Sequence, residues 1–154
     1  MRTQAWICSD VKPVSRSTRS CDSMHMPQPF TADTAMHHSS KSGFSTPGAP
    51  MMIRIFKESS ELEVWKQTAT GYKLFKTYEI CAWSGELGPK IKEGDRQSPE
   101  GFYTITPGLM TPNSNYYLAF NTGFPNKFDR AYGRTGSDLM VHGDCSSRGC
   151  YSMT

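Results

Sequence analysis

From Met51 onward the apolar residues of this chain fall in short, partly alternating runs, each cut off by glycine or proline. No other feature restricts the possible folds as strongly. Met51-Met52-Ile53-Arg54-Ile55-Phe56 starts an extended run, and Leu62-Glu63-Val64-Trp65 alternates cleanly enough to be the second arm of a hairpin. Gly71 marks a turn, after which Tyr72–Ile80 reads as a third strand, with Gly101–Ile105, Tyr116–Phe120 and Leu139–His142 as three more. A period of two places every second side chain on one face, which is how a half-buried strand looks in sequence. With 13 glycines and 10 prolines in 154 residues, long helices have little room. Short strands between turn signals favour an all-β sandwich or barrel over an α/β fold. The fold class expected is therefore mainly β with few short helices. Helix is allowed only briefly within Pro125–Tyr132, or starting near Cys150.

Residues 1–49 have a different character. They are rich in Ser and Thr, carry scattered prolines, and hold His25, His37 and His38. Their apolar residues show no period, so the segment cannot bury enough surface to offset its ordering entropy. The chain divides on this basis into a disordered Ser/Thr/Pro-rich tail, 1–49, and a folded domain, 50–154. Arg2 is not followed by an apolar h-region, so no signal peptide is legible. The pair His37-His38 reads as part of the tail rather than as a metal site. The stretch from Trp83 to Pro99 is long, charged and glycine-rich, and a loop of that kind in a compact domain is usually functional. It is expected to line a cleft.

Composition removes several function classes. A net charge of +3 is too small to argue for nucleic acid. The aromatics are not interleaved with a Lys/Arg stripe either, as single-strand binders require. No run approaches the length of a membrane span. Five cysteines, Cys8, Cys21, Cys81, Cys145 and Cys150, are an odd number, so an exported chain would keep one thiol over. Cys81 lies in the strand-like run Tyr78–Trp83 and reads as a packed side chain.

The chemistry sits at Val141-His142-Gly143-Asp144-Cys145-Ser146-Ser147-Arg148-Gly149-Cys150-Tyr151. A thiol must become a thiolate to attack a carbonyl, and a nearby imidazole can take its proton. His142, at the end of a predicted strand, is the candidate base and Cys150 the candidate nucleophile. Gly143 permits a sharp turn beside the base. Gly149 permits another before the sulfur and leaves its N–H for a developing oxyanion. Ser147 can bond the turn or a substrate. A helix beginning at Cys150 would lower the thiol pKa through its dipole. Three alternatives stay open on residue types alone: a Cys145–Cys150 disulfide, a zinc site of His142, Cys145 and Cys150 with an Asp, and inert thiols.

The residues also resemble a known family. The segments Ile53–Lys57, Leu62–Trp65 and Leu74–Tyr78 are similar to the catalytic domain of the murein L,D-transpeptidases of the YkuD type, closest to the YafK-like branch. So are Ser84-Gly85-x-Leu87-Gly88-Pro89-Lys90, Glu93-Gly94-Asp95, Ser98-Pro99-Glu100-Gly101-Phe102-Tyr103, Phe120-Asn121-x-Gly123-x-Pro125-Asn126 and Gly133–Gly136. His142-Gly143 and Ser147-x-Gly149-Cys150 follow in the same order.

The resemblance implies a β-sandwich with a mixed sheet and a cleft between sheet and loops. It implies a cysteine acyl transfer on peptidoglycan stem peptides, used in cross-linking or protein attachment, with release of a peptidoglycan-linked lipoprotein as the alternative outcome. An inactive peptidoglycan-binding domain is the rival from another class. Cys150 is then the nucleophile and His142 the base, oriented by a backbone carbonyl, while Ser147 and Gly149 shape the oxyanion turn. No metal and no cofactor are implied. The location implied is the periplasm or cell envelope. Most of the family carries an Arg two places after the cysteine, where this chain has Ser152. Arg134 or Arg148 could take its place on a substrate carboxylate. Relatives of this branch continue in helical sequence past Tyr151–Thr154, so the domain is expected to be incomplete at its C-terminus.

Overall fold

A computed structural model describes residues 3–8 and 48–154 of the protein. Nine strands follow in chain order: β1 (Thr3–Cys8), β2 (Met51–Phe56), β3 (Glu61–Thr68), β4 (Gly71–Trp83), β5 (Gly101–Ile105), β6 (Met110–Ser114), β7 (Tyr117–Asn121), β8 (Met140–His142) and β9 (Tyr151–Met153). One short helix, α1 (Lys127–Ala131), lies between β7 and β8. The strands form a mixed sheet in the order β5-β1-β2-β3-β4-β9-β8-β7-β6. The mainly β class expected from the sequence is what the chain adopts.

The long strand β4 joins the two halves. Its residues from Gly71 to Glu79 pair antiparallel with β3, while Ile80, Ala82 and Trp83 pair with β9 across a register shift. Both halves contribute to one core. Ile53, Ile55, Leu62, Tyr103 and Ile105 come from one side, Val141 and Tyr151 from the other, with Ile80 of β4 between and Phe124 and Leu139 from loops. Burying an aliphatic side chain of this size is worth about 1.5–3 kcal/mol. The alternation of Ile53 with Ile55 and of Tyr103 with Ile105 puts each pair on the face that turns inward. Tyr151, fully buried, also donates its hydroxyl to the Pro99 carbonyl at 2.8 Å. That bond ties the strand after Cys150 to the end of the Trp83–Pro99 loop.

Three elements depart from the sequence reading. Thr3–Cys8, within the stretch expected to be disordered, forms β1, parallel to β2 and antiparallel to β5. It links two strands that otherwise have no shared neighbour. The rest of that expectation, including His25, His37, His38 and Cys21, lies outside the described residues. Met110–Ser114 contains Pro112 yet forms β6, because it is the last strand of the sheet and an edge does not need every N–H. Finally, the chain beyond Cys150 is strand, not helix. The brief helix expected near Pro125–Tyr132 is present as α1, started by a reciprocal bond between Asn126 and Asp129.

Candidate active site

The site is built where β8 and β9 run side by side. They are parallel, with Val141 opposite Tyr151 and His142 opposite Ser152. Continued by one residue, this register sets Cys150 opposite Met140. In-register residues of parallel strands share a face, and the face alternates. Val141 and Tyr151 therefore point into the core, whereas His142 and Ser152 lie on the opposite face. Cys150 immediately precedes β9, and its sulfur meets the N–H of Met140, two residues before His142 on β8. The two candidate residues, eight positions apart in sequence, are thus set at one pair of adjoining strands.

His142 is nearly buried, at 7% exposure. Its Nδ1 lies 2.5 Å from the Gly143 carbonyl oxygen. A carbonyl can only accept, so Nδ1 carries the hydrogen, and in the neutral ring Nε2 then holds the lone pair. The ring is held in the tautomer a base requires. The Cys150 sulfur accepts the Met140 N–H at 3.5 Å and donates to the Asp138 carbonyl at 3.7 Å. Ring and sulfur each bond to backbone in this resting arrangement and not to each other. Hydrogen bonds of catalytic pairs are often long in substrate-free enzymes and tighten on binding.

Burial pushes the Cys150 thiol above its ordinary range; the nearby Asp138 carboxylate adds to this, and the Met140 N–H opposes it. The lowering that a helix beginning at Cys150 would have given is absent. Its physical basis was a helix dipole, and the chain after Cys150 is a strand with no macrodipole to offer. Burial therefore works against formation of the thiolate, and an attack by this sulfur would call for a base.

Hydroxyls fix the Cys150 backbone. The Cys150 carbonyl accepts from Ser147 Oγ at 2.7 Å and from Ser98 Oγ at 2.9 Å. Ser98 Oγ in turn accepts the Ser84 N–H at 3.1 Å, and Ser84 Oγ lies 2.6 Å from Ser147 Oγ. Ser84 and Ser98 have no place in the sequence reading beyond their motifs, because nothing local signals that they meet Cys150. Gly149 is buried at φ 118°, a region an L side chain rarely adopts. Its N–H reaches Ser147 Oγ at 3.4 Å, so it is used within the turn rather than left free. Ser152, opposite His142, is fully buried and bonds the Ser146 carbonyl.

Gly143 is required for a reason different from the sharp turn expected. A Cβ there would stand 2.9 Å from Tyr117 Cβ and 3.0 Å from the Tyr116 carbonyl oxygen. That carbonyl accepts the Gly143 N–H at 2.9 Å. The glycine is small so that the β6–β7 connection can sit on it. Replacing Gly143 with alanine is expected to destabilise the fold by about 1–3 kcal/mol, the usual cost of overpacking. Urea unfolding would measure this, and an unchanged midpoint would remove the steric account.

The cysteines overturn two of the readings left open, the Cys145–Cys150 disulfide and the zinc site. Cys81 and Cys145 form a disulfide, and among the described residues Cys150 is the free thiol. Cys81 is therefore not a simple packed side chain, and Cys145 is not paired with Cys150. A zinc site using the Cys145 thiolate is ruled out by the same bond. Of the two candidate arginines, Arg134 is engaged with the buried Asp129 carboxylate at 2.8 Å and lies against the Phe128 and Tyr132 rings. Arg148 is exposed on the turn before Cys150 and makes no ion pair with a described residue.

The Trp83–Pro99 loop is pinned from beneath. Lys57 is fully buried and donates to the Glu86 carbonyl at 3.2 Å and the Gly88 carbonyl at 3.0 Å, and pairs with Glu100 at 3.0 Å. Burial lowers its pKa and the Glu100 hydrogen bond works against that. Gln97 also donates to both carbonyls, and accepts the Glu86 N–H at 2.9 Å. Farther along, burial would raise the Asp95 carboxyl, but Lys90 and the N–H groups of Lys92, Ile91 and Gln97 hold it well below the usual carboxylate range. A loop with so many internal partners can carry Ser98 to the Cys150 carbonyl in a defined position.

Comparison with known proteins agrees with this architecture. The chain is 50% identical over 107 residues, 70% of its length, to the Escherichia coli (strain K12) protein named "Putative L,D-transpeptidase YafK". The same figures hold for the protein of that name from Escherichia coli O157:H7. The chain spans 44% of the length of these relatives. Among solved structures, it is similar to the helical cell shape determining protein Pgp2 from Campylobacter jejuni, with a TM-score of 0.57 and 28% identity, covering 67% of this chain and 39% of that one. No family model matches the chain.

Proposed function

Because the chain carries a YafK-like L,D-transpeptidase domain, we propose that it performs cysteine acyl transfer on peptidoglycan stem peptides. The observation that carries this reading is the parallel register of β8 and β9. It sets a thiol and an imidazole at adjoining strands, with Nδ1 committed to a carbonyl and Nε2 left to receive a proton. In the reaction, Nε2 takes the Cys150 proton as the sulfur attacks the carbonyl of an L-to-D peptide bond. A C–S bond forms and the C–N bond breaks. The imidazolium returns the proton to the departing amine, leaving a thioacyl enzyme. An incoming amine or water then attacks the thioester carbonyl, gives its proton to Nε2, and releases Cys150.

Amine attack gives cross-linking or protein attachment, as in the transferase reading. Water gives hydrolysis, which would release an attached lipoprotein. Arg148, exposed two residues before Cys150, is the guanidinium we assign to a substrate carboxylate, and the pairing of Arg134 with Asp129 supports that choice. The Cys81–Cys145 disulfide supports a site of action in the oxidising cell envelope or periplasm. Among the described residues no helix is long and apolar enough to cross a membrane.

The test is direct. The purified protein is incubated with a stem tetrapeptide and its intact mass is read. An acyl adduct on Cys150, missing in Cys150→Ala, is expected. A folded sample that forms no adduct, and behaves as Cys150→Ala does, contradicts the proposal. Adding an amine acceptor separates the outcomes, since transfer gives a new amide product and hydrolysis a free acid.

A further inference from the structure

We infer that Tyr116, at the tip of the β6–β7 hairpin, is a positioning residue that holds the His142 ring and favours the charged form that imidazole takes during attack. This rests on the acyl-transfer reading and adds a residue to it. The rings of Tyr116 and His142 lie with centroids 5.0 Å apart and planes 42° apart. The Tyr116 carbonyl accepts the Gly143 N–H at 2.9 Å, so the same residue contacts the base and docks on its neighbour. The tip is braced from behind, where the Tyr116 N–H donates to Ser114 Oγ at 3.1 Å.

Tyr117 follows at φ 69°, an uncommon conformation for a bulky residue and one that persists when the surroundings demand it. Here the demand is the close approach to Gly143. The restraints on His142 are complementary. Gly143 fixes the Nδ1 edge, the Tyr116 ring packs at a tilt against the imidazole, and Nε2 is the atom with a hydrogen-bonding role still open. Tyr116 is itself 49% exposed, so it forms part of the wall between the base and solvent. An aromatic face carries negative charge density and attracts a cation within about 6 Å. The contact thus strengthens when the imidazole accepts the thiol proton.

The experiment reads alkylation of Cys150 by iodoacetamide in the full chain, site by site, by peptide mass spectrometry. Tyr116→Phe keeps the ring and is expected to react as wild type does. Tyr116→Leu removes it and is expected to slow Cys150 about two- to fivefold, the fold-change equivalent of a partly exposed cation–π contact. In a His142→Ala background the same Tyr116→Leu change is expected to add nothing, because Tyr116 acts through the imidazole. A merely structural role would slow both backgrounds alike.

Should Tyr116→Leu not fold, Tyr116→Met keeps apolar bulk without a ring and carries the same expectation. Wild-type reactivity in Tyr116→Leu, or an equal loss in Tyr116→Phe, overturns the inference. If His142→Ala alone leaves Cys150 reactivity unchanged, the acyl-transfer reading fails, and the inference with it. If His142→Ala slows Cys150 and Tyr116→Leu does not, only the role of Tyr116 is lost.

Discussion

Replacing His142 with alanine is expected to slow formation of the thioacyl enzyme by roughly two to four orders of magnitude, the range usual for loss of a general base. The size follows from the state of the thiol. Burial holds Cys150 above its ordinary pKa, and neither a helix terminus nor a cationic side chain lowers it. A sulfur activated by its surroundings would retain much of its rate without the imidazole. This one relies on proton transfer during attack. The rate for the free enzyme should therefore climb as pH is raised from neutrality, as more thiol ionises, and should do so most clearly in His142→Ala, where ionisation is the remaining route. Single-turnover kinetics with a stem peptide across pH 6–9 would measure both (about one point per half unit suffices to see the slope). A His142→Ala rate within a factor of a few of wild type would show that the imidazole does not serve as base.

Reducing the Cys81–Cys145 disulfide should cost about 4 kcal/mol of stability, from the loop-closure entropy of a cross-link of this span. The bonded residues are 64 apart in sequence, one in β4 and one in the turn between His142 and Cys150. An unfolded chain with that link has far fewer conformations than one without it. The bond also anchors the turn that leads to Cys150 to the longest strand of the sheet. Two effects are expected together in Cys81→Ala/Cys145→Ala: a lower urea midpoint, and a weaker hold on Ser147, Gly149 and Cys150 that lowers the acylation rate. An unchanged midpoint after reduction, with both thiols shown free by mass, would contradict the assignment. Wild-type acylation in a destabilised but folded double variant would confine the disulfide's role to stability.

Much of the fold can be read from local pattern. The runs at Met51–Phe56, Leu62–Trp65, Tyr72–Ile80 and Gly101–Ile105 each became a strand. In Gly101–Ile105 the alternation follows burial, with Tyr103 and Ile105 inside, whereas residues 73–79 are exposed on both faces. Features that depend on sheet position were hidden. β6 contains a proline that rules it out as a central strand and is harmless at an edge. β1 is a short apolar run inside a long polar segment, and averaging over that segment conceals it. β9 spans three residues, too few for any period to show.

The sequence by itself determined the residue types of the chemistry: a thiol after a glycine, an imidazole before one, and strands to carry them. It could not determine which faces those strands share, since a shift of one residue in register moves a side chain to the opposite surface. Only the tertiary structure set His142 and Cys150 at adjoining strands, joined Cys81 to Cys145, paired Arg134 with Asp129, and brought Ser84, Ser98 and Tyr116 to the site. The reason is physical. Burial, pairing and hydrogen bonding between residues tens of positions apart are properties of the closed sheet, and no stretch of sequence carries them on its own.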